Sequence, residues 1–364
     1  MKRVVCLLSA LLLLLLPACG DTTGDPKGGP SPDASASSVP DTPEPTSEPT
    51  TTPGPAFYHP LTGLPCEKDL SGQRPVAVML NNLKAAMPQQ GNGQADIIYE
   101  VLAEGGITRM LAVFQQPQNL GLVGSVRSAR QYYWEIAQGH DAVYIHAGAS
   151  PEFYSTKSRL GLFTVDGVNG YYSSASAGMF WRDRNRIEGH YYAYEHSLLT
   201  SGQAITTMLE NEGVAAHKDG YQYEMAFADD GTPAGGQSAV TVTVPFSSSK
   251  SDVFRYDIST GKYLVEEYGE PYIDGNDGTQ VAITNLIVVQ TVCTVVDSAG
   301  RLDVELSSGS GWFACGGKIV PITWKKGSAD QQLCYFGEDG TPITLGRGKS
   351  YVCVVPTSRT ITAE

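Results

Sequence analysis

The segment IIYEVLAEGGITRMLAVF, residues 97–114, decides the fold. Two apolar runs flank the pair Gly105 and Gly106, and a glycine pair between such runs is typical of a β-hairpin. The earlier run PVAVMLN, residues 75–81, predicts another buried strand. These strands place a core near the start of the folded part of the chain.

Three helices are predicted after this hairpin, over residues 125–139, 151–161 and 200–213. Each segment begins with a capping residue or a proline and ends at a glycine. The run AVYIH, residues 142–146, returns to a strand pattern. Strands that alternate with helices predict a mixed α/β layered domain over residues 57–220.

After residue 220 the pattern changes to apolar runs separated by glycine turns. The predicted strands are residues 239–244, 253–258, 263–268, 281–296, 302–306, 318–324 and 351–355. We therefore expect a mostly antiparallel, β-rich domain over residues 221–364, and an α+β fold class for the whole chain.

The N-terminus resembles a bacterial lipoprotein signal. Lys2 and Arg3 precede an apolar run over residues 4–16, and Cys19 follows two small or turn-forming residues. The apolar run has 13 residues, fewer than the roughly 20 that a spanning helix needs. The resemblance implies that residues 1–18 are removed as a signal peptide and that the Cys19 thiol carries a lipid. The membrane, bound through that lipid, is the predicted partner, and the extracytoplasmic face of the cell membrane is the predicted location.

A tether of residues 19–56 is expected to follow the lipidated cysteine. Between Gly20 and Ala56 the chain has nine prolines and no aromatic residue. Such a composition cannot bury enough apolar surface to offset the entropy of ordering. We predict a disordered spacer between the membrane and the folded part.

The net charge of −13 argues against a nucleic-acid partner, because no basic field is present to displace counterions from phosphates. Arginine and histidine are nevertheless concentrated between residues 100 and 200. Arg127 and Arg130 would share one face of a helix at its N-terminal turn. Phe180 and Trp181, next to Arg182, offer an aromatic platform. We expect the N-terminal domain to bind an anionic cell-envelope ligand or a protein partner, with contacts from Arg109, Arg127, Arg130, His146, Trp181, Arg182 and His196.

Two other interpretations of these residues remain open. The arginines could form structural salt bridges with Asp96, Glu100, Glu104 and Asp183. Alternatively, the chain could be a hydrolase of an envelope glycan or phosphodiester, with His146 or His196 as the base and Asp183 as the orienting group or acid. Whether the chain is an enzyme is left open, since the common hydrolase, metalloprotease and P-loop motifs are absent. No metal and no cofactor is predicted.

Several strings resemble the YerB-like family of bacterial lipoproteins, over about residues 57–356. They are PLTGLP (60–65), RPVAVM (74–79), QADIIYE (94–100), EGGITR (104–109), GSVRSAR (124–130), IHAG (145–148) and FWRD (180–183). The resemblance implies a lipoprotein with an N-terminal and a C-terminal domain of unknown function. It carries no catalytic residues over to this chain.

Four cysteines of the C-terminal part predict disulfides in an extracytoplasmic protein. No C-x-x-C pair is present, so a zinc site is not indicated. Of the three pairings that four cysteines allow, we predict Cys315 with Cys334 and Cys293 with Cys353. Separate buried thiols are the alternative.

Replacing the predicted lipidation site tests the anchor. We expect Cys19→Ala to release the protein from the membrane fraction or to block its processing, because the acidic body supplies little membrane affinity of its own. Cell fractionation followed by mass spectrometry of the N-terminus measures both effects. Tight, detergent-requiring membrane association of a correctly cleaved mutant would contradict the prediction.

Overall fold

The computed structural model describes residues 54–222 and 225–364. The predicted signal peptide, Cys19 and almost all of the predicted tether lie outside the described residues. No helix in the described part of the chain has both the length and the apolar character that crossing a bilayer requires.

The N-terminal part combines strands with three α-helices. Its strands are β1 (Phe57–Tyr58), β2 (Pro65–Cys66), β3 (Val76–Asn81), β4 (Ile97–Leu102), β5 (Thr108–Phe114), β6 (Leu122–Gly124), β7 (Val143–His146), β8 (Val165–Asp166), β9 (Trp181–Arg182) and β10 (Leu198–Ser201). The α-helices are α1 (Gln131–Gly139), α2 (Pro151–Leu160) and α3 (Gly202–Glu212). Short 3₁₀ turns lie at Lys84–Ala86, Asn92–Gln94, Glu104–Gly106, Pro117–Asn119, Tyr171–Ser173, Ala175–Ala177 and Tyr194–His196.

The C-terminal part is built from strands. They are β11 (Ala226–Ala228), β12 (Gln237–Ser238), β13 (Thr241–Pro245), β14 (Ser251–Asp257), β15 (Lys262–Glu267), β16 (Glu270–Pro271), β17 (Ala282–Ile283), β18 (Asn285–Thr291), β19 (Cys293–Val295), β20 (Leu302–Val304), β21 (Ser308–Cys315), β22 (Lys318–Lys325), β23 (Cys334–Phe336), β24 (Thr344–Gly346), β25 (Ser350–Pro356) and β26 (Thr362–Ala363). The α+β class predicted from the sequence is confirmed.

One large sheet contains strands from both parts of the chain. Its order is β12-β22-β21-β18-β25-β4-β5-β3-β7-β8, with β23 paired to β22. The late strand β25 runs parallel to both β18 and β4 and lies between them. The division predicted at residue 221 falls in the loop before β11, and the strands before and after that loop enter the same sheet.

A second sheet is antiparallel and belongs to the C-terminal part, in the order β16-β15-β14-β13-β26 with β17 on β15. Its strands alternate buried and exposed residues: Tyr263, Val265 and Glu267 of β15 are buried, and the residues between them are less so. The 97–114 hairpin, by contrast, is buried along both strands, as central strands covered on two faces are.

The predicted helices at 151–161 and 200–213 are confirmed, with Ser150 and Ser201 as their side-chain caps and glycines at their ends. The first helix is shorter than predicted, since it begins at Gln131 and not at Ser125. Its predicted first turn is instead extended, because backbone hydrogen bonds join residues 125–127 to β3 and to Ala147. The expectation that Arg127 and Arg130 share a helix face is therefore wrong.

The structure contains neither predicted disulfide, because none of the five cysteines of the described residues is bonded to another cysteine. Cys315 pairs with Lys318 at one end of β22, and Cys334 pairs with Lys325 at the other end. The strand rise puts them about 23 Å apart, and a disulfide needs Cα atoms within roughly 7 Å. Cys353 and Cys293 likewise lie apart. Cys353 of β25 pairs with Val288 of β18, and Cys293 of β19 pairs with Val304 of β20.

A buried lysine joins the two sheets. Lys250 Nζ lies 2.7 Å from Glu267 Oε2 and 3.2 Å from Glu100 Oε1, and it also bonds Asp252 Oδ1. All four side chains are almost completely buried. The hydroxyl of Tyr351 donates to Glu100. Carboxylates from β4, β14 and β15 are thus held around one ammonium group.

The cluster has more acidic groups than its single cation can neutralise. Burial raises the pKa of Glu267 to about 7, with the charge of Glu100 adding to the shift and Lys250 opposing it. Burial and the neighbouring carboxylates also raise the pKa of Asp252. The pKa of Glu100 is lowered, because Lys250 and the hydrogen bonds to its carboxylate outweigh the effect of burial. The folded protein therefore retains protons here that the unfolded chain has lost.

Stability is expected to depend on Glu267 between pH 4.5 and 7. In this range the folded state binds the proton and the unfolded state does not, so the free energy of unfolding falls as the pH rises. Glu267→Gln cannot titrate, and its melting temperature relative to wild type should therefore rise by a few degrees from pH 5 to pH 8. Glu266→Gln on the same strand, whose carboxylate bonds the exposed Arg255, is the matched control. A pH-independent difference for Glu267→Gln would contradict the prediction.

Candidate functional site

Four arginines meet beyond the end of β3, and we call Arg109, Arg127, Arg130 and Arg182 the arginine surface. The charges of Arg109, Arg130 and Arg182 all act on Arg127 and, after burial, help to lower its pKa. The contacts agree with this grouping, since Arg109 and Arg130 share the carboxylate of Glu104. Arg127 and Arg182 donate to two consecutive backbone carbonyls, those of Glu195 and Tyr194. The structure thus brings together four of the seven residues predicted to bind a ligand.

Backbone hydrogen bonds on both sides of the chain fix Arg127. Its N–H donates to the carbonyl of Met79 in β3, and its carbonyl accepts from the N–H of Ala147 just after β7. The residues before α1 therefore run like an extra strand between two strand ends. This pairing is the reason that the helix cannot begin at Ser125.

The side chain of Arg127 bonds only to a neutral group. Its Nη1 donates to the carbonyl of Glu195 at 3.0 Å, and its buried Nε has no hydrogen-bond partner among the described residues. Arg182 resembles it, since Nη1 donates to the Tyr194 carbonyl and the guanidinium carbon lies 3.8 Å above the Tyr194 ring. Neither arginine has a carboxylate within ion-pair distance in the described part of the chain.

Glu104 is the carboxylate that contacts the arginine surface. It bonds Nε of Arg130 and lies 3.1 Å from Nη1 of Arg109. Burial raises the pKa of Glu104, but these two arginines outweigh burial and keep the pKa below its usual value. Glu104 lies in the turn between β4 and β5, where Gly105 and Gly106 adopt positive φ angles of 70° and 75°.

The other carboxylates proposed as salt-bridge partners lie elsewhere. Asp96 lies 3.6 Å from His59 and Glu100 belongs to the Lys250 cluster. Asp183 Oδ1 accepts from the backbone N–H of Asn185. The salt-bridge interpretation therefore describes Arg109 and Arg130, which share Glu104, and does not describe Arg127 and Arg182.

His196 lies beside the arginine surface and His146 does not. Nδ1 of His196 lies 2.9 Å from Asn81 Nδ2, and burial together with the charge of Arg127 lowers the pKa of this histidine. His146 is completely buried at the end of β7, where Nδ1 donates to the Gly148 carbonyl and Nε2 lies 3.0 Å from the Thr164 hydroxyl. Burial lowers the pKa of His146 to about 4, so it is neutral and enclosed at physiological pH.

Trp181 precedes Arg182 on β9 but lines a groove that is separate from the arginine surface. Side chains of neighbouring residues on a strand point to opposite faces. Trp181 borders a groove of about 320 Å³, together with Tyr171, Tyr172 and one side of α3. No local motif predicts that these tyrosines and α3 meet, although tyrosine is frequent between residues 171 and 194.

The group of carboxylates best placed to hold a metal ion is Glu100, Asp252 and Glu267, whose oxygens lie within 4.8 Å of one another. The ammonium of Lys250 lies between them at hydrogen-bond distance. A lysine in this position supplies the positive charge that a metal would bring. Asp274 lies outside this group, and its carboxylate accepts from the backbone N–H groups of Gly91 and Gly93.

The fold and the site define an α+β protein in which an N-terminal and a C-terminal part share a sheet and the N-terminal part presents the arginines. Family models described as the N-terminal and C-terminal domains of a protein of unknown function (DUF3048) match residues 61–215 and 242–352. The chain is 32% identical over 300 residues to YerB of Bacillus subtilis (strain 168), whose name proposes that it is a lipoprotein, covering 82% of this chain and 86% of YerB.

The crystal structure of YerB from Bacillus subtilis is similar to this one, with a TM-score of 0.70 and 27% identity. The match covers 84% of this chain and 99% of that chain. The chain therefore belongs to the DUF3048 family, which confirms the YerB-like resemblance of the sequence.

Removing Glu104 and removing one of its arginines should have different effects. Glu104→Gln leaves four guanidinium groups without a contacting carboxylate, so we expect a loss of roughly 1.5–3 kcal/mol in the free energy of unfolding, smaller at high salt. Arg130→Ala leaves Glu104 paired with Arg109 and should melt within a few degrees of wild type. Denaturant unfolding at low and high salt measures both. Equal losses for the two variants would contradict this account.

Proposed function

We propose that the chain is a lipoprotein anchored through Cys19 at the extracytoplasmic face of the membrane, where its arginine surface binds an anionic component of the cell envelope. The anchor is supported by the lipoprotein-like N-terminus and by the name of the relative YerB. The proline-rich segment after Cys19 would space the folded part away from the bilayer.

The observation that carries the binding proposal is the excess of positive charge at one place in an acidic chain. Four guanidinium groups meet one contacting carboxylate, in a protein whose net charge is −13. Arg127 and Arg182 each donate to neutral carbonyls and form no ion pair among the described residues, although the charge of the exposed Glu195 carboxylate acts on Arg127. Guanidinium groups bind phosphate and carboxylate with two parallel hydrogen bonds, so such groups are the ligand chemistry that fits.

A hydrolase is the second candidate function, and His196 is the residue that favours it. Its lowered pKa leaves the imidazole neutral near pH 7, next to a guanidinium that could orient a phosphodiester. A neutral imidazole can accept a proton. His146 does not contribute to this candidate, since it is enclosed in the core.

Binding is tested with the full-length protein, purified in detergent, and cell walls of Bacillus subtilis. One wall sample keeps its phosphodiester-linked polymers and the other has lost them by acid treatment. We expect wild type to sediment with the first sample, and less at high salt, because displaced counterions weaken binding. Arg127→Gln and Arg182→Gln should reduce retention about tenfold each, which corresponds to the loss of one charged hydrogen-bonded contact.

Arg255→Gln is the matched control, since Arg255 is an exposed arginine on β14 bonded to Glu266. It should be retained like wild type. Equal retention on both wall samples, or retention unchanged in Arg127→Gln, would reject the proposal. The same mixtures are assayed for soluble sugar and phosphate, and release that His196→Gln abolishes would favour the hydrolase.

A further inference from the structure

The groove beside Trp181 is a second surface with different chemistry, and we call it the aromatic groove. Three elements form it: the 3₁₀ turns over residues 171–177, the strand β9 and the helix α3. Ala204 and Met208 of α3 are among the residues that line it. Its volume of about 320 Å³ is at the small end of the range that small-molecule sites occupy.

One wall of the aromatic groove exposes aromatic rings. The side chain of Tyr171 is 68% exposed and that of Trp181 is 38% exposed. Tyr172 packs edge-on against Tyr171, with ring centres 5.1 Å apart, so the two rings support each other. Exposed rings held in place by the fold are costly in water and commonly mark binding sites.

The facing wall is polar and contains no lysine or arginine. Gln203, Thr207 and Asn211 are spaced four residues apart and form one exposed row along α3. Nε2 of Gln203 donates to the Thr207 hydroxyl at 3.3 Å, and the row offers further amide and hydroxyl groups that donate and accept hydrogen bonds. Glu212 completes the wall, and its carboxylate accepts from the hydroxyl of Tyr172.

We propose that the aromatic groove binds a saccharide through uncharged sugar rings. One face of a sugar ring carries C–H groups of slight positive charge, which pack against the negative face of an aromatic ring. The hydroxyl groups at the ring's edge need partners that donate and accept, and the α3 row supplies them. An anion would find no cation in this groove, and an apolar ligand would leave the amides unpaired.

The proposal is independent of the arginine surface. Trp181 and Arg182 are consecutive on β9 and therefore face opposite sides of that strand. A saccharide in the groove would be recognised without a guanidinium contact. If the arginine surface does not bind an anion, the aromatic groove can still bind a saccharide. If the groove does not bind a saccharide, the arginine surface can still bind an anion.

Isothermal titration of the full-length protein in detergent tests the groove, with chitotetraose, cellotetraose and maltotetraose as probes. We expect at least one of the three to bind. For that probe, Trp181→Ala and Tyr171→Ala should each weaken binding about tenfold, the loss of one stacking contact. Asn211→Ala should weaken it less, since one hydrogen bond is lost and the exposed amide costs little to remove.

Tyr191→Ala is the matched control, because Tyr191 is 64% exposed and lies outside the groove, over Arg184. Tyr191→Ala should bind the probe like wild type. Tyr171→Ala is the second variant, because the side chain of Tyr171 is so exposed that replacing it leaves the fold intact. Thermal melts check that each variant is folded. No binding of any of the three probes, or equal binding by wild type and Tyr171→Ala, would overturn the proposal.

Discussion

The ammonium group of Lys250 is the interaction on which the two sheets depend. It neutralises carboxylates that come from β4 in the N-terminal part and from β14 and β15 in the C-terminal part. A buried carboxylate without a cation is strongly destabilising, so β4 cannot keep Glu100 in the core unless the C-terminal part is folded against it. The strand β25 enforces the same arrangement through backbone pairing, since it lies between β4 and β18.

This constraint reaches the arginine surface through β4 and its hairpin. Glu100 fixes the middle of β4, and the same strand leads into the turn that carries Glu104. Glu104 then holds Arg109 of β5 and Arg130 ahead of α1. The core therefore positions Arg109 and Arg130 through Glu104, while backbone carbonyls of Glu195 and Tyr194 hold Arg127 and Arg182. Their repulsion is offset by folding elsewhere, as is common at binding sites.

The two proposed sites lie on opposite sides of β9, and they differ in charge. The arginine surface has an excess of positive charge, and the aromatic groove has none. A ligand that carries both anionic groups and sugar rings could be contacted on both sides of this short strand. Envelope polymers with that composition would be recognised by two kinds of chemistry that do not compete.

Local sequence patterns predicted the elements whose signals lie within their own residues. The 97–114 hairpin follows from apolar runs around two glycines, and α2 and α3 follow from serine caps and terminal glycines. The strand β21 gave no such signal, because its first half reads SGSG and becomes a strand only through pairing with β18 and β22. The start of α1 was misplaced for a related reason, since the backbone around Arg127 pairs with residues far away in the chain.

The sequence by itself determined the α+β class, the family and the concentration of arginine between residues 100 and 200, since these depend on composition, short-range pattern and local similarity. Only the tertiary structure decided which of those arginines meet, that Glu104 is their contacting carboxylate and that His146 is enclosed. It also separated the cysteines by the length of β22 and brought Lys250 to Glu100. Contacts of this kind depend on strand order and register, and residues far apart in the chain fix both.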